Sequence, residues 1–378
     1  MHETWLQLSR EGLLLAGMPF LATAMLVFLL KPLALRFGLV DHPHNERKIH
    51  TIPTPLIGGA AIAFAALCGG YVLLPHTKDL IALGAATLLL LAVGTVDDRY
   101  DIDWRIRIVA QAAAALVLFE FGGVRVESIG NAFGIAGHTL GILSLPFTIL
   151  ATVGLANAVN MADGVDGLAG ALCLAALAML TSAAIYAGNG PLASDLVLMA
   201  GCVMGFLAFN LRTPWRPTAS AFLGGGSEIL GLWIAWAAFR LTQTEGHPVT
   251  PVLAPFLIAL PVIDCLVLIV RRVRAGKSPF AADCNHMHHR LLDAGFTATG
   301  VVAVLVGLSL SIGFVAALAR RAHVPEPLFP AVYLTATVAY FIISRGRAAE
   351  PARRPTARIP LGAEPAPIRI TRSETTER

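Results

Sequence analysis

The feature that most constrains this chain is a succession of long, uncharged apolar runs separated by short polar connections. About 20 apolar residues cross the hydrocarbon core of a bilayer. Lipid offers backbone amides no partner, so such runs must close their hydrogen bonds internally, as helices. Reading the runs between charged or Gly/Pro-rich breaks gives eleven candidate helices at 12–35, 56–74, 80–96, 107–121, 141–159, 167–187, 193–209, 222–241, 251–270, 299–319 and 328–344. Composition agrees, since 56% of the residues are hydrophobic and only 14% charged, where a soluble domain carries about a quarter charged residues. The expected fold is an all-α integral membrane protein of about eleven transmembrane helices.

Orientation follows from Lys and Arg in the connections. Of the 28 Lys and Arg residues, 22 fall in the loops that share a side with the C-terminus and six on the other side. This predicts an N-terminus outside and a C-terminus in the cytoplasm. Residues 1–344 read as one polytopic membrane domain. Residues 345–378, rich in Arg, Pro and Glu, read as a disordered basic cytoplasmic tail. Glu3, Arg10 and Glu11 do not form a basic n-region, so no cleaved signal peptide is expected. The five cysteines follow neither disulfide nor zinc spacing. The net charge of +4 comes mainly from these loops and the tail, so it does not argue for nucleic acid.

Four of the cytoplasmic connections are crowded with polar residues, which are costly near a membrane and suggest function. Lys and Arg there could merely set topology, but Asp and Glu contribute little to that rule. In the first loop, Arg47, Lys48 and His50 could gather around phosphate oxygens, with Arg forking onto two of them. An ordinary basic loop accounts for them equally well. Gly58 and Gly59, just beyond, allow backbones to approach closely. The second loop holds Asp97 and Asp98 at a helix end, followed by Arg99, Asp101 and Asp103. Adjacent carboxylates repel unless a cation or proton sits between them, and Mg²⁺ typically takes one or two carboxylates plus substrate phosphates. The bland alternative is a solvated acidic turn balanced by Arg105 and Arg107.

The third connection runs Asn157-Ala-Val-Asn160-Met-Ala-Asp163-Gly-Val-Asp166-Gly167. Asn157 and Asn160, three apart, share a helix face. Asp163 or Asp166 could cap the next helix, yet four polar side chains at one tight turn favour a polar pocket. The fourth holds His286, His288, His289 and Arg290 after Arg271, Arg272, Arg274 and Lys277. No cysteine pair or second histidine cluster completes a tetrahedral zinc site, so anion binding is the better reading.

In this order and combination the loops resemble those of the polyprenyl-phosphate N-acetylhexosamine-1-phosphate transferases, in their WecA/TagO-like rather than MraY-like branch. The matching stretches are Asp41–Gly59, Val96-Asp97-Asp98, Asn157–Gly170, Pro261-Val-Ile-Asp264 and His286-Met-His288-His289-Arg290-Leu. The resemblance implies eleven helices with an active site on the cytoplasmic face of a bacterial inner membrane. It implies Mg²⁺-dependent transfer, with Mn²⁺ as the alternative ion. A sugar 1-phosphate would pass from a UDP-sugar, N-acetylglucosamine or a related N-acetylhexosamine, to undecaprenyl phosphate. UMP would be released and a cell-envelope polysaccharide primed. Its partners would be a UDP-sugar, a polyprenyl phosphate and the membrane, with a homodimer as an admissible assembly and nucleic acid excluded. By the same resemblance Asp97 attends the attacking phosphate, and Asp98 organises metal and diphosphate together with Asp163. Asn157, Asp163 and Asp166 line the nucleotide side, with Asn160 on the same face. Lys48, His286, His288, His289 and Arg290 hold phosphates.

The chain departs from that pattern in two places. The family's Gly-Asp-x-Gly-Ser, whose Asp is a metal ligand, is replaced by Gly224-Gly225-Gly226-Ser227, with Glu228 where an apolar residue is usual. Its Asp-Arg-x-His becomes Asp283-Cys284-Asn285-His286. A relative that binds UDP-sugar or polyprenyl phosphate without turnover is therefore the alternative reading, and Asp264 or Glu228 are the carboxylates that could replace the lost one.

Overall fold

A computed structural model describes residues 2–41, 53–134, 139–243, 249–279 and 285–344. Within them the chain forms α1 (His2–Phe37), a hairpin of β1 (Val40–Asp41) and β2 (Thr54–Pro55), and then α2 (Gly58–Leu73), α3 (Lys78–Tyr100) and α4 (Trp104–Glu120). After these come α5 (Ser144–Ala162), α6 (Leu168–Tyr186), α7 (Gly190–Asn210) and α8 (Gly226–Thr242). The last helices are α9 (Ala254–Leu257), α10 (Ala259–Arg274), α11 (Met287–Asp293), α12 (Ala298–Arg321) and α13 (Leu328–Ile343). Most of the length of the apolar runs lies on helix, with residues 222–225 ahead of α8 and the run 251–270 divided between α9 and α10.

Six segments are long and apolar enough to cross a membrane: 12–37, α3, 141–162, α6, α7 and α12. The pair α9 and α10 makes a seventh if counted as one bent span, and α2 and α13 are shorter apolar helices. The protein is an all-α membrane protein. Its outer surface carries large bare apolar side chains such as Phe28, Tyr71, Ile142 and Ile343. A soluble protein could not leave so much apolar surface uncovered.

One helix sits at the centre. Of the 17 residues of α8, Arg240 alone is not buried, as expected for a helix that is apolar on every side. It packs against α2, α3, α5 and α6, and α7 links α1 to α6. The run expected as one helix over 251–270 is instead broken at Ile258, where α9 and α10 meet at 85°. Pro261 explains the break. It has no N–H to give the carbonyl of Leu257 four residues earlier, and its ring crowds that turn.

The hairpin pairs Val40 with Pro55 and Asp41 with Thr54, so it pins together the two ends of the first polar loop. Phe222 N–H donates to the Pro55 carbonyl at 2.8 Å, and Gly58 N–H to the Phe222 carbonyl at 2.9 Å. The loop's base is thereby tied to the turn that opens α8. Arg47, Lys48 and His50 themselves lie outside the described residues, as do Asp283, Cys284 and the segment 345–378.

Candidate active site

The site grows from a contact between backbones. A Cβ at Gly225 would lie 2.5 Å from Gly94 Cα, and one at Gly226 would lie 2.3 Å from Gly59 Cα. Glycine alone lets α2, α3 and the start of α8 meet this closely. Gly224 adopts a left-handed φ of +59°, and a Cβ there would reach within 2.3 Å of Asp98 Oδ2. That oxygen accepts the Gly225 N–H at 3.0 Å. The three glycines that stand in place of an acidic motif therefore form a tight seat for Asp98.

Asp97, its neighbour, serves the turn between α3 and α4. Its Oδ1 accepts the Ile102 N–H at 3.1 Å, and its Oδ2 pairs with Arg107 at 3.0 Å. Arg107 also faces Glu228 Oε1 at 3.9 Å. Glu228 is buried within α8, beside Gln111. Asn157 Nδ2 in turn donates to Gln111 Oε1 at 2.6 Å. A polar chain of Asp97, Arg107, Glu228, Gln111 and Asn157 thus links α3, α4, α8 and α5. By contrast, Asp103 caps α4 and pairs with Arg105 at 3.2 Å in an exposed setting.

Asn160, on the same face as Asn157, donates to Ser227 Oγ at 2.9 Å. Neither Asp163 nor Asp166 caps α6; Gly167 takes the cap position with φ +84°. The reason is that Asp166 is occupied elsewhere, its Oδ2 meeting Arg212 Nε at 2.7 Å. Asp163 is left facing Asp98. Loss of solvation first, and then the nearby Asp166 and Asp98, push its pKa from 3.8 to about 7. Among the described residues no Lys or Arg comes within ion-pair distance of Asp98 or Asp163.

The histidines close the other wall. His286 Nδ1 lies 2.9 Å from Asp264 Oδ2, and its ring stacks on His288 at 5.1 Å between centroids. His288 in turn contacts His289 at 4.4 Å. His288 is buried against Gly164, where a Cβ would lie 2.2 Å from its Nε2. Burial first, and then His289 and His286, hold its pKa well below the usual value, so it is neutral. His288 therefore favours the uncharged ring, whose Nε2 faces Gly164. Arg290 Nη1 donates to the Ser344 carbonyl at 2.8 Å.

Does a divalent cation fit? Among the described residues no three His, Cys, Asp or Glu side chains converge as a closed metal site. Asp163, which feels the charge of Asp98 and, among the described residues, has no Lys or Arg paired to it, suits together with Asp98 an ion that takes its remaining ligands from phosphate oxygens. Of the two candidate replacements for the lost aspartate, Glu228 lies close enough to Asp98 for their charges to interact. Asp264 is engaged by His286, and Glu228 by Arg107 and Gln111.

Sequence reasoning missed Glu228 as part of this chain of contacts, as well as Gln111, Ser227 and Arg212. Gln111 could have been found, since it is the one amide before the Ala112–Ala115 run of an apolar helix, and such groups are rarely idle.

These features define a multi-pass helical membrane protein in which Asp98 and Asp163 lie near each other and a histidine strip packs against the turn that follows Asp163. Residues 80–242 match the model of glycosyl transferase family 4. Curated relatives named undecaprenyl-phosphate alpha-N-acetylglucosaminyl 1-phosphate transferase are similar along most of the chain. The Escherichia coli O157:H7 relative is 32% identical over 327 residues, covering 85% of this chain and 88% of its own length. The Salmonella typhi relative is 34% identical, with the same coverage of each chain. That of Haemophilus influenzae is 35% identical, covering 81% of this chain and 86% of its own. The chain belongs to glycosyl transferase family 4. The binding-only alternative is not favoured.

Proposed function

We propose that this protein transfers N-acetylglucosamine 1-phosphate, or a related N-acetylhexosamine 1-phosphate, from its UDP-sugar to undecaprenyl phosphate, releasing UMP. The observation that carries this reading is the gathering of Asp98, Asp163, Asn160 and the histidine strip around neighbouring helix ends of a chain so similar to the named transferases. The site lies on the cytoplasmic face of the inner membrane, with eleven crossings and the N-terminus outside.

The chemistry requires two phosphates to meet, and their mutual repulsion is the main barrier. Asp98, seated on the Gly225 N–H, and Asp163 would hold Mg²⁺, or Mn²⁺ in its stead. The ion would supply charge neutralisation for the diphosphate. Asp97 keeps Arg107 at the mouth of the site, and the lipid phosphate, already ionised at neutral pH, needs little deprotonation. Asn157 and Asn160 line the nucleotide side, and Asp166 holds its wall through Arg212. His286 and His289 with Arg290 bind phosphate oxygens, and His288 buttresses the turn at Gly164. Arg47, Lys48 and His50 are assigned to phosphate from the sequence alone.

The test is UMP release by the purified protein in detergent with UDP-N-acetylglucosamine, undecaprenyl phosphate and Mg²⁺. Release that depends on both lipid and metal is expected. Intact nucleotide binding with no release across a panel of UDP-sugars would overturn the reading.

Asp163 adds a pH prediction. Its folded pKa is raised from 3.8 to about 7, so the metal-free fold favours the protonated carboxyl. The stability this contributes is full below about pH 4 and is lost as pH rises through about 7. Mg²⁺ must displace that proton. Mg²⁺ affinity is therefore expected to rise up to about tenfold per pH unit below pH 7 and to level off above it. Magnesium titrations followed by thermal shift at several pH values check this, and a flat profile across pH 6–8 would remove Asp163 from the site.

A further inference from the structure

The last helix lies outside every motif singled out in the sequence, yet its inner end reaches the histidine strip. Tyr340 Oη donates to Asp264 Oδ1 at 2.9 Å. The same oxygen accepts the Met287 N–H at 3.0 Å, while Oδ2 meets His286 Nδ1 at 2.9 Å. Asp264 is only 7% exposed. A buried carboxylate is tolerated when its lone pairs are filled, and here groups from α11, its N-cap His286 and α13 fill those of Asp264 on α10. Two further contacts join the same elements. Arg290 Nη1 donates to the Ser344 carbonyl at 2.8 Å, and Arg271 Nη2 to the Phe341 carbonyl at 3.2 Å.

The consequence for His286 is geometric. Anchoring Nδ1 on Asp264 fixes the ring plane and turns Nε2 away from that carboxylate, as outer-shell carboxylates do for ligating imidazoles. The orientation of Asp264 in turn depends on the two donors that share Oδ1. One is a backbone amide at the start of α11. The other is a side chain 76 residues further along the chain.

We propose that Tyr340 is a positioning residue of the phosphate-binding strip, acting through Asp264 on His286. This rests on the proposed function for the role of His286, and it adds α13 to the working parts of the site. Tyr340→Phe removes one hydroxyl and leaves the ring packed, so the fold should persist.

The experiment measures the affinity of UDP-N-acetylglucosamine and of uridine for wild type, Tyr340→Phe, Asp264→Asn and the double variant, by calorimetry in detergent. Tyr340→Phe is expected to weaken UDP-sugar binding about five- to tenfold, the worth of one such hydrogen bond. Uridine, which carries no phosphate, should change less than twofold. In the Asp264→Asn background the added Tyr340→Phe should cost less than twofold, since residues in one network are not additive. Three results would each overturn the proposal: unchanged UDP-sugar affinity, equal losses for uridine and UDP-sugar, or fully additive losses. UMP release by the wild type is recorded alongside. Its absence would count against the transferase reading, while the affinity ratios would still decide the role of Tyr340.

Discussion

Asp98→Asn is expected to lower kcat by about 10²–10³-fold, the range seen when one preorganised electrostatic group is removed from an active site. The argument rests on what the substitution keeps. Asp98 Oδ2 accepts the Gly225 N–H at 3.0 Å, and an amide oxygen can accept the same bond. The seat formed by Gly224 and Gly225 therefore survives while the charge is lost. Asp163 would then face the diphosphate and its counter-ion alone. A loss in kcat with thermal stability within a few degrees of wild type is the expected pattern. Wild-type turnover in the variant would place the ion elsewhere and remove Asp98 from the chemistry.

The second large effect runs against intuition. Gly225→Asp introduces a carboxylate at the turn where the resemblance predicts one, and it is expected to destroy the site rather than repair it. Its Cβ would lie 2.5 Å from Gly94 Cα, and backbone cannot step aside as a flexible side chain can. The strain belongs at the upper end of overpacking costs, about 3 kcal/mol. Gly225→Ala should show nearly the same loss of melting temperature and activity, because the clash begins at Cβ. The two variants together separate sterics from charge. A Gly225→Asp protein that melts like wild type and turns over faster would mean the turn is not packed in this way.

Much of this architecture was legible because lipid imposes a uniform rule. Runs such as 141–159 and 299–319 have one admissible structure, and α5 and α12 occupy them. Where the solution depended on a single backbone group, the sequence reading fell short. Pro261 was visible in the run 251–270, but the run's apolar content outweighed it, and the helix broke at Ile258. The site divides along the same line. Asp98, Asp163 and the histidines stand out as polar residues at helix ends. Their partners come from far away in the chain: Gly225 lies 127 residues from Asp98 and Tyr340 lies 76 from Asp264. Such pairings follow from tertiary packing, which no local pattern encodes. The triple glycine read as a loss because its carboxylate was absent, whereas its packing shows three glycines closed against Gly59, Gly94 and Asp98.

Because α9 and α10 meet at 85°, this part of the protein does not form one straight rod across the membrane. A straight helix would carry any vertical shift at the outer leaflet down to the inner one. Natural bilayers differ in thickness by a few ångströms, and spanning helices tilt to match them. Here the axis turns between α9 and α10, and Asp264 on α10 is tied to α11 and α13 rather than to α9. A bend at this point leaves no single helix axis along which a tilt at one end would pass straight to the wall that holds Asp264.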